Sequence, residues 1–249
     1  MKFDKSYWEE KFIKNETGWD IGYVSTPLKE YFDQLTNKDL KILIPGSGNG
    51  YEAEYLFNLG FKNVFIVEWS DTAIRNFIQR FPKFPKENIF QKDFFLHSEK
   101  YDLIIEQTFF CALHPSQREK YVTKMSELLL PHGKLAGLLF SREFNSPGPP
   151  FGGSKNEYVK LFEPYFNFKY FDECYNSIPP RAGSELFINL IKKKIFNEYT
   201  YHCSFTCHLK YIHELRMVRS LEKDGVSCMA GNSCKLGNSI FRVCAYGSC

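Results

Sequence analysis

The stretch Lys41-Ile-Leu-Ile-Pro-Gly-Ser-Gly-Asn-Gly50 decides the fold of this 249-residue chain. Its apolar half predicts a buried strand, and glycines at alternate positions 46, 48 and 50 follow directly. Glycine has no β-carbon and tolerates positive φ, so this cluster predicts a tight loop whose backbone approaches a ligand closely. A helix-like stretch then runs to Gly60. The order of strand, glycine loop and helix is typical of a nucleotide-binding α/β unit.

The rest of the first 194 residues continues the same alternation of strands and helices. Ser70 is expected to cap a helix that ends at Pro82, and Pro115 to begin another. A hairpin is expected around the segment 178–183, which is too short to contain a helix. We therefore predict a Rossmann-like, doubly wound seven-stranded sheet with a C-terminal antiparallel hairpin and a ligand site at the carboxyl ends of the early strands. The predicted strands cover residues 41–45, 63–68, 88–93, 101–107, 134–140, 168–175 and 185–191.

The end of the second strand offers a partner for a ribose. Glu68 lies 22 residues after Gly46, where a carboxylate can accept hydrogen bonds from both ribose hydroxyls. The glycine spacing is Gly-x-Gly-x-Gly, not the Gly-x-Gly-x-x-Gly that binds a pyrophosphate. Gly46, Gly48 and Glu68 therefore favour S-adenosyl-L-methionine as cofactor over a nicotinamide dinucleotide.

Polar side chains at the next two strand ends point to the same crevice. Asp93 is positioned to accept the adenine amino group, and Phe94 beside it to pack on the adenine ring. Gln107 ends the fourth strand and is expected to face this crevice as well.

An aromatic segment, residues 1–35, precedes the first strand. Ser6-Tyr-Trp-Glu9 matches a helical capping box, and Trp8 and Phe12 then share one helical face. Trp19 follows within Thr17-Gly-Trp-Asp-Ile-Gly22. Such a segment can fold back as a lid whose ring faces attract the positive charge of a sulfonium.

Composition restricts the class of partner. Apolar residues make up 43% of the chain and charged residues 24%, and the net charge is only +3. A nucleic-acid or membrane-surface role gains no support from this charge, so we expect a small-molecule partner. The apolar runs fall short of the roughly 20 residues of a membrane-spanning helix, and no secretory signal is visible. The expected location is the cytoplasm.

Cysteine usage changes near Lys194. Six of the eight cysteines lie in the last 55 residues, where the strand and helix rhythm stops. We expect a domain at 1–194 and a weakly structured, Cys-rich extension at 195–249. Two alternatives for the extension are a zinc site, with Cys203, Cys207, His208 and His213 as ligands, and a disulfide-stapled module.

Five motifs of the first 194 residues are shared with a known family. They are Thr17-Gly-Trp-Asp-Ile-Gly22, Ile44-Pro-Gly-Ser-Gly-Asn-Gly50, Asp102-Leu-Ile-Ile-Glu-Gln-Thr-Phe-Phe-Cys-Ala-Leu-His-Pro115, Pro147-Gly-Pro-Pro-Phe151 and Ile178-Pro-Pro-Arg181. With these motifs the chain resembles the thiopurine S-methyltransferase family, including its plant-type thiol and halide methyltransferase branch. The resemblance covers nearly all of residues 7–194 and implies a class I, S-adenosylmethionine-dependent S-methyltransferase, monomeric like its single-domain relatives. By this resemblance, a set of aromatic and polar residues contacts the cofactor: Trp8, Phe12, Trp19, Gly46, Glu68, Asp93, Phe94 and Gln107. The family has Tyr or Arg in place of Gln107 and often Trp in place of Phe12.

The implied acceptor is a thiol, hydrosulfide, thiopurine or halide. Methyl transfer to such a nucleophile needs positioning more than proton removal, so we assign no catalytic residue and no metal. Two alternatives remain open, a nicotinamide-dependent oxidoreductase and a non-catalytic module that binds the cofactor. The candidates for the acceptor side are Phe109, Phe110, Arg142, Phe151 and Arg181.

Overall fold

The computed structural model describes residues 3–194, 233–236 and 239–242. Seven strands of the first part form one sheet with the order β3-β2-β1-β4-β5-β7-β6. Strands β1 to β5 pair in parallel, whereas β7 is antiparallel to both β5 and β6. The predicted doubly wound sheet with a closing antiparallel hairpin is thus confirmed. The strands are β1 (Ile42–Pro45), β2 (Val64–Glu68), β3 (Ile89–Gln91), β4 (Tyr101–Gln107), β5 (Leu129–Phe140), β6 (Phe166–Glu173) and β7 (Glu185–Lys192).

Helices pack on both faces of this sheet. Successive residues of a strand point to opposite faces, so Ile42 and Ile44 of β1 belong to one buried cluster and Leu43 to the other. The first cluster contains residues of α2, α3 and α4, and the second contains residues of α5 and α6. The helices are α1 (Lys5–Ile13), α2 (Thr26–Asp33), α3 (Tyr51–Asn58), α4 (Asp71–Arg80), α5 (Arg118–Leu128) and α6 (Lys155–Phe162).

The start of α1 differs from the predicted capping box. Asp4 is the N-cap, and its carboxylate accepts hydrogen bonds from the backbone N–H groups of Ser6 (3.1 Å) and Tyr7 (3.3 Å). The Ser6 hydroxyl also donates to Asp4. Asp is as good a cap as Ser. Because Asp4 lies two residues before Ser6, the helix begins two residues earlier than predicted. Glu9 is thereby free to bind elsewhere.

Other predicted boundaries shift by a few residues. Ser70 caps α4 as predicted, since its hydroxyl accepts from the N–H of Ala73. Pro115 begins a short 3-10 turn, and α5 itself starts at Arg118. Strand β5 begins five residues before the predicted 134, and His132 within it has a φ of 63°.

The chain divides into two units, Met1–Lys194 and Ile195–Cys249. In the second unit, β8 (Ser233–Leu236) pairs antiparallel with β9 (Ser239–Arg242). The cysteines and histidines proposed above as zinc ligands lie outside the described residues. None of the described helices combines the length and the apolar character needed to cross a membrane.

Candidate active site

A cavity of about 540 Å³ lies where the sequence analysis expects the ligand, at the carboxyl ends of β1, β2 and β4. A volume of this size suits a small ligand or cofactor. Its wall includes the glycine loop after β1, Glu68 at the end of β2 and Gln107 at the end of β4. Residues of α1 and of the following loop complete the wall on the N-terminal side.

The glycine loop has the backbone conformation that its sequence predicts. Gly46, Gly48 and Gly50 all have positive φ, at 57°, 51° and 72°. The Gly46 N–H donates to the carbonyl of Val67 over 2.8 Å, so the loop is tied to β2 as it leaves β1. Gly50 then forms the N-cap of α3.

Glu68 stabilises this loop through hydrogen bonds to the backbone. One carboxylate oxygen accepts from the N–H of Gly48 (2.8 Å), and the other accepts from the N–H groups of Trp69 and Ser70 (both 2.9 Å). Burial raises the pKa of Glu68 above its ordinary value, although these backbone donors act in the opposite direction. Glu68 therefore has a structural role in addition to the carboxylate surface it presents to the cavity.

Glu9 of α1 binds the start of α4. Its carboxylate accepts from the hydroxyls of Ser70 (2.7 Å) and Thr72 (2.5 Å) and from the Thr72 N–H (3.2 Å). Burial alone would raise the pKa of Glu9, but the hydrogen bonds from Ser70 and Thr72 hold it below its ordinary value. Since Ser70 also donates its N–H to Glu68, one serine connects the N-terminal helix to the wall of the cavity.

The aromatic residues of the N-terminal segment meet over the cavity. The rings of Trp8 and Trp19 lie 5.4 Å apart and those of Phe12 and Trp19 5.7 Å apart, both edge to face. All three side chains line the cavity. The structure thus brings together the residues predicted to form the lid.

Asp93 and Phe94, the candidates for contact with adenine, also line the cavity. The Asp93 carboxylate accepts from the N–H of Phe95 (2.9 Å), which forms a 3-10 turn at the end of β3. The Phe94 ring is buried and packs edge to face on Phe109 at 5.1 Å.

Gln107 Oε1 and the Ser47 hydroxyl are buried in the wall without hydrogen-bond partners. Such orphaned polar atoms in a cavity fit a polar ligand.

Two of the five acceptor-side candidates line the cavity, and three lie outside its wall. Phe109 and Arg181 line the cavity, but Phe110, Arg142 and Phe151 do not belong to its wall among the described residues. Phe110 points into the core, with its ring 5.1 Å from that of Tyr121. Arg142 is exposed, with its guanidinium over the ring of Phe144. Phe151 packs instead on Phe3 and His114, at 5.5 and 5.4 Å.

Glu106 explains why the adjacent phenylalanines diverge. This buried carboxylate accepts from the N–H groups of Phe109 (2.8 Å) and Phe110 (2.9 Å) and from the Tyr121 hydroxyl. Thr108, which directly precedes Phe109, has a φ of 56°, a conformation rare for threonine. The resulting turn sends Phe109 to the cavity and Phe110 to the core.

Sequence reasoning missed several polar residues of the wall. Asp20 accepts from the N–H of Gly22 (2.7 Å) and from the Asn49 side chain, and so connects the lid to the glycine loop. Glu52 lines the cavity from the first turn of α3. The available signals were the position of Asp20 within the Thr17–Gly22 motif and that of Glu52 two residues after Gly50.

Known structures share this architecture. The 1,6-didemethyltoxoflavin-N1-methyltransferase of Burkholderia thailandensis, solved with S-adenosylhomocysteine, matches with a TM-score of 0.60 at 16% identity, covering 76% of this chain and 87% of that one. The N-methyltransferase NodS of Bradyrhizobium japonicum, also with S-adenosylhomocysteine, matches with a TM-score of 0.58 at 18% identity, covering 77% and 100%. The fold is that of a class I, S-adenosylmethionine-dependent methyltransferase.

Sequence comparison then gives the family. Residues 3–195 match the model of the thiopurine S-methyltransferase (TPMT) family. A probable thiol methyltransferase 2 of Arabidopsis thaliana is 31% identical, covering 72% of this chain and 81% of the relative. A thiopurine S-methyltransferase of Vibrio parahaemolyticus is 26% identical, covering 65% and 83%. The chain belongs to the thiopurine S-methyltransferase family and is an S-adenosylmethionine-dependent methyltransferase, which removes the oxidoreductase alternative.

Proposed function

We propose that this enzyme methylates a soft nucleophile, foremost a small thiol, hydrosulfide or thiopurine, with halide as a further acceptor. The main supporting observation is the apolar part of the cavity wall. Phe109, Phe140, Phe144, Pro149 and Pro150 line the cavity there. A large, weakly hydrated sulfur or iodide loses little hydration on entering such a wall, whereas a strongly hydrated oxygen nucleophile loses more.

Relatives give independent support for this acceptor class. Besides the probable thiol methyltransferase, a thiocyanate methyltransferase 1 of Arabidopsis thaliana is 28% identical over 187 residues. The names of these relatives and of the Vibrio enzyme refer to thiols, thiocyanate and thiopurines, which are all sulfur nucleophiles. We extend that class to this chain.

The cofactor supplies a methyl carbon bound to a positively charged sulfur. In our proposal the backbone of the glycine loop at Gly46 and Gly48 lies against the cofactor. Glu68 accepts hydrogen bonds from the ribose hydroxyls of the cofactor. Asp93 and Phe94 take the adenine, and Gln107 uses its unpartnered oxygen. The lid residues are Trp8, Phe12 and Trp19, whose rings exclude water and face the sulfonium charge.

The chemistry needs no general base from the protein. The sulfur of the acceptor forms the new bond to the methyl carbon as the bond between that carbon and the cofactor sulfur breaks. A thiol with a pKa of about 8.5 is already partly ionised to thiolate at neutral pH, and a halide has no proton to lose. Phe109 and Arg181 remain our candidates for contact with the acceptor.

The test is formation of S-adenosylhomocysteine by the full chain with hydrosulfide, aliphatic thiols, a thiopurine, thiocyanate and iodide, and with a phenol as oxygen control. We expect turnover with sulfur acceptors and none with the phenol. Silence with every soft acceptor, while calorimetry still detects bound S-adenosylhomocysteine, would overturn the proposed acceptor class.

We also propose that the enzyme acts as a cytoplasmic monomer and that residues 1–194 form its catalytic domain. Light scattering coupled to gel filtration tests the monomer. Equal turnover by residues 1–194 and by the full chain would support a dispensable extension, and zinc analysis of the full chain would decide the metal alternative.

A further inference from the structure

Glu52 is a buried acid that the proposed function leaves without a role. It lies in the first turn of α3, directly after the glycine loop, and only 6% of its surface is exposed. Because Glu52 belongs to the wall of the cavity, the small exposed part of this residue faces the ligand site. Among the described residues, the only hydrogen bond to its carboxyl comes from its own backbone N–H.

Within residues 3–194, the two arginines near this carboxyl both have other hydrogen-bond partners. The charged groups near Glu52 are Asp20, Arg181 and Arg80. Arg181 donates to the Trp19 carbonyl (2.8 Å) and pairs with Glu185 (3.4 Å). Arg80 pairs with Glu54 (2.9 Å) and also donates to the Asn49 carbonyl.

Burial raises the pKa of Glu52 to about 7, the charge of Asp20 raises it as well, and the two arginines lower it. A carboxyl in this state is stabilised in its charged form by any cation that enters the cavity beside it.

The order of the strands tells which part of the cofactor comes near Glu52. Adenine candidates lie at the end of β3 and the ribose candidate Glu68 at the end of β2, and β1 is the next strand in the sheet. A ligand that starts over β3 and β2 must therefore pass over the loop after β1. Its end beyond the ribose, an amino acid with one ammonium and one carboxylate group, reaches the start of α3.

We propose that Glu52 binds the α-ammonium group at the amino-acid end of the cofactor. This inference rests on the cofactor orientation of the proposed function. Glu52 thereby supplies a negative partner for that ammonium beside the glycine loop. The bond between a buried carboxylate and an ammonium is a charge-assisted hydrogen bond, stronger than a neutral one.

The test compares two ligands by calorimetry on the full chain. S-adenosylhomocysteine contains the amino-acid end, and 5′-methylthioadenosine lacks it but keeps adenosine and sulfur. We expect Glu52→Gln to weaken S-adenosylhomocysteine binding by about 10- to 100-fold and to leave methylthioadenosine binding within about twofold. Glu54→Gln is the matched control, because Glu54 lies on the same helix but pairs outward with Arg80. It should leave both affinities unchanged.

A pH series gives a second readout. As pH falls from 8 to 6, the wild-type protein should lose affinity for S-adenosylhomocysteine relative to methylthioadenosine, because Glu52 becomes protonated. Glu52→Gln should remove that difference in slope. Equal S-adenosylhomocysteine affinity in wild type and variant, or equal loss for both ligands, would overturn the inference.

The outcome also separates this inference from the proposed function. Wild-type protein that binds neither ligand would overturn both the cofactor site and the role of Glu52. Selective weakening in Glu52→Gln together with no turnover of any sulfur acceptor would uphold the role of Glu52 and overturn only the acceptor class.

Discussion

The phenyl ring of Phe109 lies directly against the backbone of Gly46. A β-carbon placed on Gly46 would come within 2.7 Å of Cγ of that ring and closer still to Cδ2. The loop after β1 and the turn after β4 are therefore in van der Waals contact at the floor of the cavity. Glycine is required here for two reasons, the absent β-carbon and the positive φ of 57°.

Gly46→Ala should disrupt the site. The alanine methyl must displace the Phe109 ring or the loop, which costs about 1–3 kcal/mol for overpacking, in addition to about 1 kcal/mol for the left-handed backbone. We expect a lower free energy of unfolding in urea and cofactor affinity reduced by at least about tenfold. Gly60→Ala is the control, since φ there is 92° with no atom within 4 Å of the added carbon. Equal destabilisation by both substitutions would contradict the role of Phe109.

Glu106→Gln should change how stability depends on pH. Burial raises the pKa of Glu106 to about 7, against the opposing hydrogen bonds from Tyr121, Phe110 and Phe109. The folded state therefore binds a proton more readily than the unfolded state, whose carboxyl has its ordinary value of 4.5. Stability gained from this proton is complete below pH 4.5 and is lost as pH rises to about 7 and beyond.

Glutamine keeps an oxygen for the two N–H groups but cannot ionise. The difference in unfolding free energy, wild type minus Glu106→Gln, should fall with rising pH between 4.5 and 7, by at most about 1.4 kcal/mol per unit. Other buried groups, such as Glu52 and His97, are present in both proteins and cancel. Urea denaturation at a series of pH values measures this difference, and a flat profile would show that Glu106 is not ionising in this range.

Glu9→Ala should speed release of the cofactor. The substitution removes three hydrogen bonds between α1 and the start of α4, so the helix with Trp8 and Phe12 separates more easily from the body of the domain. We expect S-adenosylhomocysteine to dissociate about tenfold faster. Tryptophan fluorescence in a stopped-flow instrument measures this dissociation rate. Glu10→Ala should have no such effect, because Glu10 pairs with Lys14 on the exposed face of the helix.

Glu68→Ala should weaken S-adenosylhomocysteine and methylthioadenosine alike, by about 100-fold, since the ribose is common to both ligands. This pattern differs from the selective effect expected for Glu52→Gln. The structure adds a stability loss of about 1–3 kcal/mol, because three backbone N–H groups lose their acceptor. Calorimetric affinities and thermal melting test the two effects separately.

Local patterns made the fold and part of the cavity wall predictable. A buried strand followed by alternate glycines allows few conformations, and strand ends in a parallel sheet meet at one edge whatever the details of packing. Glu68, Asp93 and Gln107 could therefore be assigned from their positions at those ends. The lid aromatics were identifiable because helical spacing places Trp8 and Phe12 on one face.

The acceptor side was less predictable, because its residues come from irregular segments. Nothing local distinguishes Phe109 from Phe110, and their opposite directions depend on the positive φ of Thr108 and on Glu106. Arg142 lies just after β5, and Glu68 is the last residue of β2. Glu68 lines the cavity, whereas Arg142 lies outside its wall.

The sequence by itself determined the doubly wound sheet with its closing hairpin, the glycine loop and the cofactor class, since these depend on short-range backbone preferences and strand periodicity. Only the tertiary structure decided that Glu9 binds Ser70, 61 residues away, and that Glu52 faces the cavity. The physical reason is that hydrogen-bond partners and side-chain surroundings depend on which distant segments pack together, and no local pattern encodes that choice.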